Sequence, residues 1–389
     1  MLNSFFHKLK EFIVRYQLKL VYIVFTAILT LIFLGYLFII STPKYSLTRE
    51  MYYYDVVVYG GTPSGIMAAV AASQQGLKAA IVEPSAHLGG AITSGLCSSD
   101  TGNTNVFGGL AKLFFVKVGS YYQSIKPVYK FEPHAAEKIF TQIADSAGIN
   151  VFYNQKLKEH DGVKKDGSKI LYITTNDGCI LSANVFIDSS YEGDLMADSA
   201  VSYTVGRENR DQYNESFAGV RPFVNHDNFK YNISAYTADG KLTPQISNEE
   251  LAEVGQGDKK LPAYNYRLCL TDNPANQAPF HKPDNYDPNK YSLLLQWMHV
   301  IKTAEGNRDL KMTDVFSIQR LPNMKADVNS IGIIFKGCFI SWRPIKEFQR
   351  SSKKTSTNGA CARMNLLIMV IGRINCISEK PGAWSVISS

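Results

Sequence analysis

The first clear pattern along the chain is an uncharged apolar run near the N-terminus. Residues 20–40 contain no charged side chain over 21 positions. A helix of that length would be about 31 Å long, close to the roughly 30 Å hydrocarbon core of a bilayer. A cleaved signal sequence is the alternative, but its apolar part usually spans about 7–15 residues and ends at a small-x-small site. The pattern therefore predicts one transmembrane helix over residues 20–40.

Basic residues on the two sides of this span predict its orientation. Four precede it, namely Lys8, Lys10, Arg15 and Lys19, whereas only Lys44 and Arg49 follow it closely. The positive-inside rule then places the basic segment 1–19 in the cytoplasm. Residues 41–52 lack periodicity and are predicted to form a linker. We expect a single-pass membrane protein whose main domain lies outside the cytoplasm.

The next pattern is a strand–turn–helix–strand unit. Residues 54–59 form a short apolar, β-branched run, which is typical of a buried parallel strand. Residues 64–75 are rich in alanine and predict a helix, with Gly76 at the position of a helix C-cap. Residues 78–83 predict a second strand. This unit indicates an α/β, Rossmann-like domain.

Weaker periodic segments follow. Pro133 stands at the first position of a predicted helix over residues 133–147. Residues 151–153 predict a short strand. Residues 170–175 and 180–187 predict a hairpin, because Asp-Gly is a strongly favoured short hairpin turn.

Charge and cysteine spacing exclude two classes of site. The formal net charge is +7, and residues 331–389 alone hold nine Lys or Arg and two Glu, so the first 330 residues sum to zero. That balance predicts no basic surface for nucleic acid. The six cysteines are far apart, without the C-x-x-C spacing of zinc or redox dithiol sites. We therefore predict no metal.

A glycine-rich turn lies between the first strand and its helix. The first glycine of such a turn permits a tight bend, and the last lets helix and strand pack closely. Backbone N–H groups at the helix N-terminus can then bind a diphosphate. Thr62 stands where the second glycine of the fingerprint usually lies. The predicted cofactor-binding residues of this turn are Gly60, Gly61, Thr62, Pro63, Ser64 and Gly65.

Two later features favour FAD over a nicotinamide cofactor. Glu83 lies 23 residues after Gly60, near the spacing of about 20 at which a carboxylate accepts hydrogen bonds from the adenosine ribose. Gly89 and Gly90 follow Glu83 after five residues, a spacing typical of FAD sites, where the chain passes close to the cofactor phosphates. We predict that all three residues bind FAD. An NAD-dependent dehydrogenase is the alternative.

These residues carry a family resemblance. The chain resembles FAD-dependent oxidoreductases of the glutathione-reductase-like superfamily, in a group that often carries secretion signals. The resemblance covers residues 54–329 through the motifs at 58–63, 82–84 with 89–90, 131–134, 187–195, 263–269 and 321–323. It implies that Asp188, Gly193 and Asp194 lie near the cofactor at the end of a strand. The alternative for these three is an ordinary acidic turn.

The resemblance also implies an organisation and a function. We expect an α/β fold in which a Rossmann-like FAD-binding domain carries an inserted, irregular α+β domain, preceded by one transmembrane helix. The FAD-binding domain is predicted at 53–210 and the inserted substrate domain at 211–330. The expected reaction is hydride transfer between a small organic substrate and flavin. The pattern singles out no catalytic residue.

The segment 331–389 is atypical. It contains none of the 22 tyrosines and no aspartate, and it does not resemble the part that covers the flavin in the family. We therefore expect a C-terminal truncation, which a frameshift near residue 330 would explain. A non-catalytic flavoprotein remnant is accordingly a second alternative to the enzyme.

Overall fold

The computed structural model describes most of the chain between residues 50 and 330. The described residues are 50–96, 98–221, 230–237, 239–243, 246, 248–250, 252–260, 267–278, 286–330 and 385–387, together with 7, 10, 16, 17, 19, 22 and 24–34 near the N-terminus. The chain divides into two compact units, residues 1–50 and 51–389. Each unit is considered by itself below.

In the first unit, residues 24–34 are helical. They belong to the predicted transmembrane span 20–40, most of whose other residues lie outside the described ones. Within the described part of the chain, no helix has both the length and the apolar character needed to cross a membrane.

The second unit begins with a six-stranded mixed sheet. Its strands are β1 (Met51–Tyr59), β2 (Ala79–Val82), β3 (Asn150–Phe152), β4 (Val163–Asp166), β5 (Lys169–Thr174) and β6 (Ile180–Asp188). They lie in the order β3-β2-β1-β6-β5-β4. Strand β1 runs parallel to both β2 and β6, and β4, β5 and β6 pair antiparallel. This parallel centre is the α/β arrangement that the sequence predicts.

Helices cover this sheet. They are α1 (Pro63–Gln74), α2 (Gly109–Tyr121) and α3 (Pro133–Ser146), and two short helices, α4 (Asp194–Asp198) and α5 (Arg210–Tyr213), come later in the chain. The β-branched run of β1 is buried because it is covered on both faces: Val58 packs in the core that holds α1 to α3, and Val57 packs in a second core with β5 and β6. Proline at the first position of α1 and of α3 suits a helix start.

A second sheet occupies the later part of the unit. Its strands are β7 (Leu268–Thr271), β8 (Gln277–Ala278), β9 (Phe316–Leu321), β10 (Lys325–Ser330) and β11 (Ser385–Ile387), in the order β8-β11-β7-β10-β9. Helix α6 (Ser292–Ala304) precedes β9, and short 3-10 helices lie at Gly90–Ile92, Thr104–Val106, Pro274–Asn276, Pro288–Tyr291 and Met312–Asp314. The described pairings in this sheet are antiparallel.

Residues 268–330 are thus more regular than the sequence indicated. Helix α6 buries Leu294, Met298 and Ile301, which recur at helical spacing and join a separate core with β7, β9 and β10. Surrounding Asn, Asp and Pro residues obscured this spacing. For residues 268–330 the structure thus corrects the predicted irregularity, whereas the inserted arrangement and the domain boundaries stay predictions.

The local predictions in the first sheet agree closely with the structure. The predicted helix 133–147 is α3, and the predicted strand 151–153 is β3, shifted by one residue. The predicted hairpin is the antiparallel pair of β5 and β6. Of the predicted family motifs, residues 263–266 lie outside the described residues, as does most of the segment 331–389.

Candidate cofactor site

The candidate cofactor residues meet at one edge of the first sheet. Strands β2, β1 and β6 are neighbours and run parallel. Their carboxyl ends carry, in that order, Glu83 with the Gly89-Gly90 loop, the glycine-rich turn, and the Asp188–Asp194 turn. In open α/β sheets ligands bind outside the carboxyl ends of the strands. The structure therefore brings all twelve predicted residues to the edge of the sheet at which such folds bind ligands.

The glycines of the first turn are needed for close backbone contact. Gly60 has a φ of +102°, and a Cβ there would lie 2.7 Å from the Ser190 nitrogen. A Cβ on Gly65 would lie 2.1 Å from the Gly60 carbonyl oxygen and 3.0 Å from Ser189 Cβ. A side chain at Gly65 would push α1 away from the end of β1, and one at Gly60 would push the glycine-rich turn away from the turn after β6. These contacts give the fingerprint glycines a steric role in the fold itself.

Thr62, the departure from the glycine pattern, caps α1. Its hydroxyl accepts a hydrogen bond from the Gly65 N–H at 3.3 Å and donates one to the Ser189 carbonyl oxygen at 2.9 Å. The Ser64 and Ser189 hydroxyls also lie 3.0 and 2.9 Å from it. Threonine therefore ties the start of α1 to the end of β6. Ser64 remains exposed at the helix start.

Glu83 binds the turn directly. The side chain is only 8% exposed. Its Oε2 accepts the Gly61 N–H and its Oε1 accepts the Ser85 N–H, each at 2.7 Å. A carboxylate offers about four lone-pair sites, so two such bonds leave acceptor capacity for a ribose hydroxyl. A Cβ on Gly61 would lie 2.9 Å from Oε2, so glycine is required for this approach.

The Gly89-Gly90 loop packs against the same turn. The Gly89 N–H donates to the Gly61 carbonyl at 2.7 Å. Both glycines have positive φ, +100° and +55°. A Cβ on Gly90 would lie 2.5 Å from the Tyr191 hydroxyl, across the edge of the sheet. The loop therefore approaches both the glycine-rich turn and the turn after β6.

Asp188 stabilises the turn after β6 through hydrogen bonds. Its Oδ1 accepts the Ser190 N–H at 2.9 Å and the Ser190 hydroxyl at 2.7 Å, and its Oδ2 accepts the Met196 N–H at 2.7 Å. The Ser190 hydroxyl in turn accepts the N–H groups of Gly193 at 2.9 Å and Asp194 at 3.2 Å. Asp188 and Gly193 thus shape the wall of the site.

The turn after β6 is acidic. Burial raises the pKa of Asp194, the nearby Lys156 partly offsets the rise, and Asp188 adds to it. Burial and the charge of Asp194 likewise raise the pKa of Glu192. Negative charge here repels a diphosphate, whereas the N-terminus of α1 attracts one. The anionic part of a dinucleotide therefore fits at α1.

These observations fit an FAD site. The N-terminus of α1 lies behind a turn without bulky side chains, and Glu83 stands beside it with unused acceptor capacity. The arrangement can bind and orient a dinucleotide.

Sequence reasoning missed several residues of this edge. Ser189 and Tyr191 contact the helix start and the Gly89-Gly90 loop, respectively. These two residues belong to a run of hydroxyl side chains directly after an apolar strand, and that pattern could have identified them as part of the site. In the motif at 131–134, His134 is exposed, whereas the acidic Glu132 is buried, 1% exposed.

Comparison with known families gives one match. The family described as FAD dependent oxidoreductase matches residues 55–357, which include all twelve candidate residues and the first part of the atypical segment. The comparison with curated proteins found no match.

Several solved structures are similar to part of the chain. An L-proline dehydrogenase from P. horikoshii matches at 14% identity and a TM-score of 0.32, over 41% of this chain and 59% of that one. A flavin-dependent brominase matches at 16% identity and a TM-score of 0.32, over 40% and 42%. A geranylgeranyl bacteriochlorophyll reductase-like protein from Thermoplasma acidophilum matches at 19% identity and a TM-score of 0.29, over 39% and 43%. The match covers less than two thirds of each of these proteins.

Proposed function

Since the chain belongs to the FAD-dependent oxidoreductase family, we propose that it binds FAD at the carboxyl edge of β1 and oxidises or reduces a small organic substrate. FAD is the cofactor of this family. The proposed reaction is hydride transfer between the substrate and the flavin, within the glutathione-reductase-like group. Bound FAD would supply the redox chemistry, and the protein would bind and orient it.

The observation that carries this proposal is the contact between Glu83 and Gly61. It joins the second strand to the glycine-rich turn at 2.7 Å and sets a carboxylate beside the start of α1. We assign the diphosphate to the N–H groups at the α1 N-terminus and the adenosine ribose to Glu83. The backbone of Gly89 and Gly90 would face the same cofactor. These are roles in binding, and no catalytic base is assigned.

The test begins with the purified chain. Visible flavin absorbance, and FAD released on denaturation, are the expected results. Turnover is then measured with an artificial electron acceptor and a panel of small organic substrates. Bound flavin without turnover on any substrate would favour the non-catalytic remnant. Release of a nicotinamide cofactor instead of flavin would favour the dehydrogenase.

We further propose that residues 20–40 anchor the protein in a membrane, with the N-terminus in the cytoplasm. The 21 uncharged residues and the basic flank 1–19 support this proposal. Protease added to intact cells should then digest the chain beyond residue 41. Protection until the membrane is permeabilised would contradict the orientation, and a mature N-terminus near residue 42 would contradict the anchor.

A further inference from the structure

Tyr191 connects the two walls of the candidate cofactor site. Its hydroxyl accepts the Ala91 N–H at 2.8 Å, although the two residues are 100 positions apart in the chain. Ala91 lies in the loop after β2, and Tyr191 lies in the turn after β6. These strands flank β1 on either side. The Tyr191 side chain therefore crosses the edge of the sheet from which the glycine-rich turn emerges.

Besides this hydrogen bond, the Tyr191 ring lies against Gly90 and is otherwise largely open to solvent. Tyr191 is 63% exposed, so the core does not hold its ring. Side chains exposed to this degree change rotamer on a picosecond-to-nanosecond timescale once their specific contacts break. The Tyr191 side chain can therefore swing away from the loop only when its hydrogen bond to Ala91 breaks.

The loop is shaped to receive the phenol. Gly90 adopts a φ of +55°, and a Cβ there would lie 2.5 Å from the Tyr191 hydroxyl and 3.0 Å from its ring. A residue with a side chain at position 90 would displace Tyr191. Gly90 therefore has a role in accommodating Tyr191 as well as its proposed role beside the cofactor.

We propose that Tyr191 is a strap across the cofactor groove, which opens when its bond to Ala91 breaks and must open for FAD to enter or leave. The inference rests on the proposed function, because it takes FAD to be the ligand of the glycine-rich turn. Since the same bond breaks in both directions, the strap slows association and release alike. It leaves the equilibrium affinity nearly unchanged.

The test uses the full chain after its flavin has been removed, with FAD itself as the probe. Tyr191→Phe deletes the hydroxyl and keeps the ring. A neutral hydrogen bond contributes about 0.5–1.5 kcal/mol, or roughly 2- to 12-fold in a rate constant. Stopped-flow flavin fluorescence should show both association and dissociation faster by a factor in this range, with the Kd within about twofold of the wild type. Tyr191→Ala should give at least the same acceleration.

Tyr53→Phe is the matched control. Tyr53 is 66% exposed, but it lies near the amino end of β1, away from the candidate site. Its variant should bind and release FAD as the wild type does. Circular dichroism checks that every variant is folded.

Three results would overturn the strap. Unchanged rates in both Tyr191 variants would remove any kinetic role. A faster association with unchanged release would make Tyr191 a competitor of FAD, and a faster release alone would make it an ordinary cofactor contact. A wild type that binds no FAD would instead refute the proposed function, so the two failures are distinguishable.

Discussion

At the scale of single residues, Glu83 serves both the turn and the proposed ligand. Its carboxylate accepts the N–H groups of Gly61 and Ser85, and we assign its remaining acceptor capacity to the ribose. A charged hydrogen bond contributes about 1.5–3 kcal/mol. We therefore expect Glu83→Ala to weaken FAD binding by roughly 10- to 150-fold, and also to lower the free energy of unfolding, because the buried Gly61 N–H and the Ser85 N–H lose their acceptor.

The measurements are an FAD titration of the flavin-free protein and urea unfolding. Glu137→Ala is the control. Glu137 lies on α3 and pairs with the exposed His87, which belongs to the loop after β2 that also follows Glu83. It should change both quantities little, as surface pairs contribute about 0–1 kcal/mol. Equal dissociation constants for Glu83→Ala and the wild type would contradict the ribose assignment, whatever happens to stability.

The sequence predicted which residues lie close together where spacing carries the information. Gly60, Gly65 and Glu83 stand at distances along the chain that a strand–turn–helix–strand unit imposes, and the structure places them together. Glu132 was overlooked because its importance depends on partners far along the chain. Two of these are Asn323 and Lys325, and local pattern carries no information about such pairs.

At the scale of elements, the contact between β1 and α1 depends on Gly65. A Cβ there would lie 2.1 Å from the Gly60 carbonyl, a backbone atom that cannot move aside without displacing the helix. We expect Gly65→Ala to reduce bound flavin severely, and Gly65→Val to abolish it, because each separates the helix N-terminus from the turn. Overpacking of this kind typically costs about 1–3 kcal/mol in stability.

Flavin content after purification, normalised to protein, is the measurement. Gly108→Ala is a matched control, since Gly108 likewise lies at a helix N-terminus, as the N-cap of α2, has an ordinary φ of −134°, and has open space where its Cβ would lie. That variant should retain its flavin. Normal flavin content in Gly65→Val would contradict the close packing of β1 and α1.

Elements were predictable where several local signals agree. The unit from β1 to β2 combines an apolar β-branched run, a glycine-rich turn and an alanine-rich helix, and each observed boundary lies within a few residues of the predicted one. The second sheet was not predicted. Its pairings join β7 to β10, more than fifty residues later, and to β11 at 385–387. Pairings between such distant segments cannot be predicted from a short turn sequence.

At the scale of the whole second unit, a buried ion pair joins a helix that packs on the first sheet to a strand of the second sheet. Glu132 stands at the N-cap position of α3, and its Oε1 lies 2.5 Å from the Nζ of Lys325 at the start of β10. Its Oε2 accepts the Asn323 amide at 2.7 Å and the Tyr122 hydroxyl at 3.0 Å. Leu321 packs into the core of the first sheet beside this cluster. The β9–β10 hairpin is thereby fixed to α3.

Breaking this cluster should destabilise the protein strongly. Glu132→Gln keeps the shape but leaves Lys325, which is 14% exposed, without its charge partner. Removal of one partner of a buried pair costs about 3–5 kcal/mol, and we expect the lower end because the glutamine carbonyl still accepts one bond. Urea unfolding at neutral pH measures the change. Glu137→Gln, the same substitution on the surface of the same helix, should cost at most about 1 kcal/mol.

The same cluster predicts a pH dependence. Burial alone would raise the pKa of Glu132, but hydrogen bonds from Lys325, Asn323 and Tyr122 outweigh burial and hold the pKa below its ordinary value of 4.5. A carboxylate with a lowered pKa in the folded state stabilises the fold above its unfolded pKa, and that contribution is lost as the pH falls through the folded value. The stability difference between wild type and Glu132→Gln should therefore be constant above pH 4.5 and shrink below it. Unfolding free energies measured across this range in both proteins decide the question, because a difference that stays constant at acid pH would mean that the charge of Glu132 does not hold the hairpin.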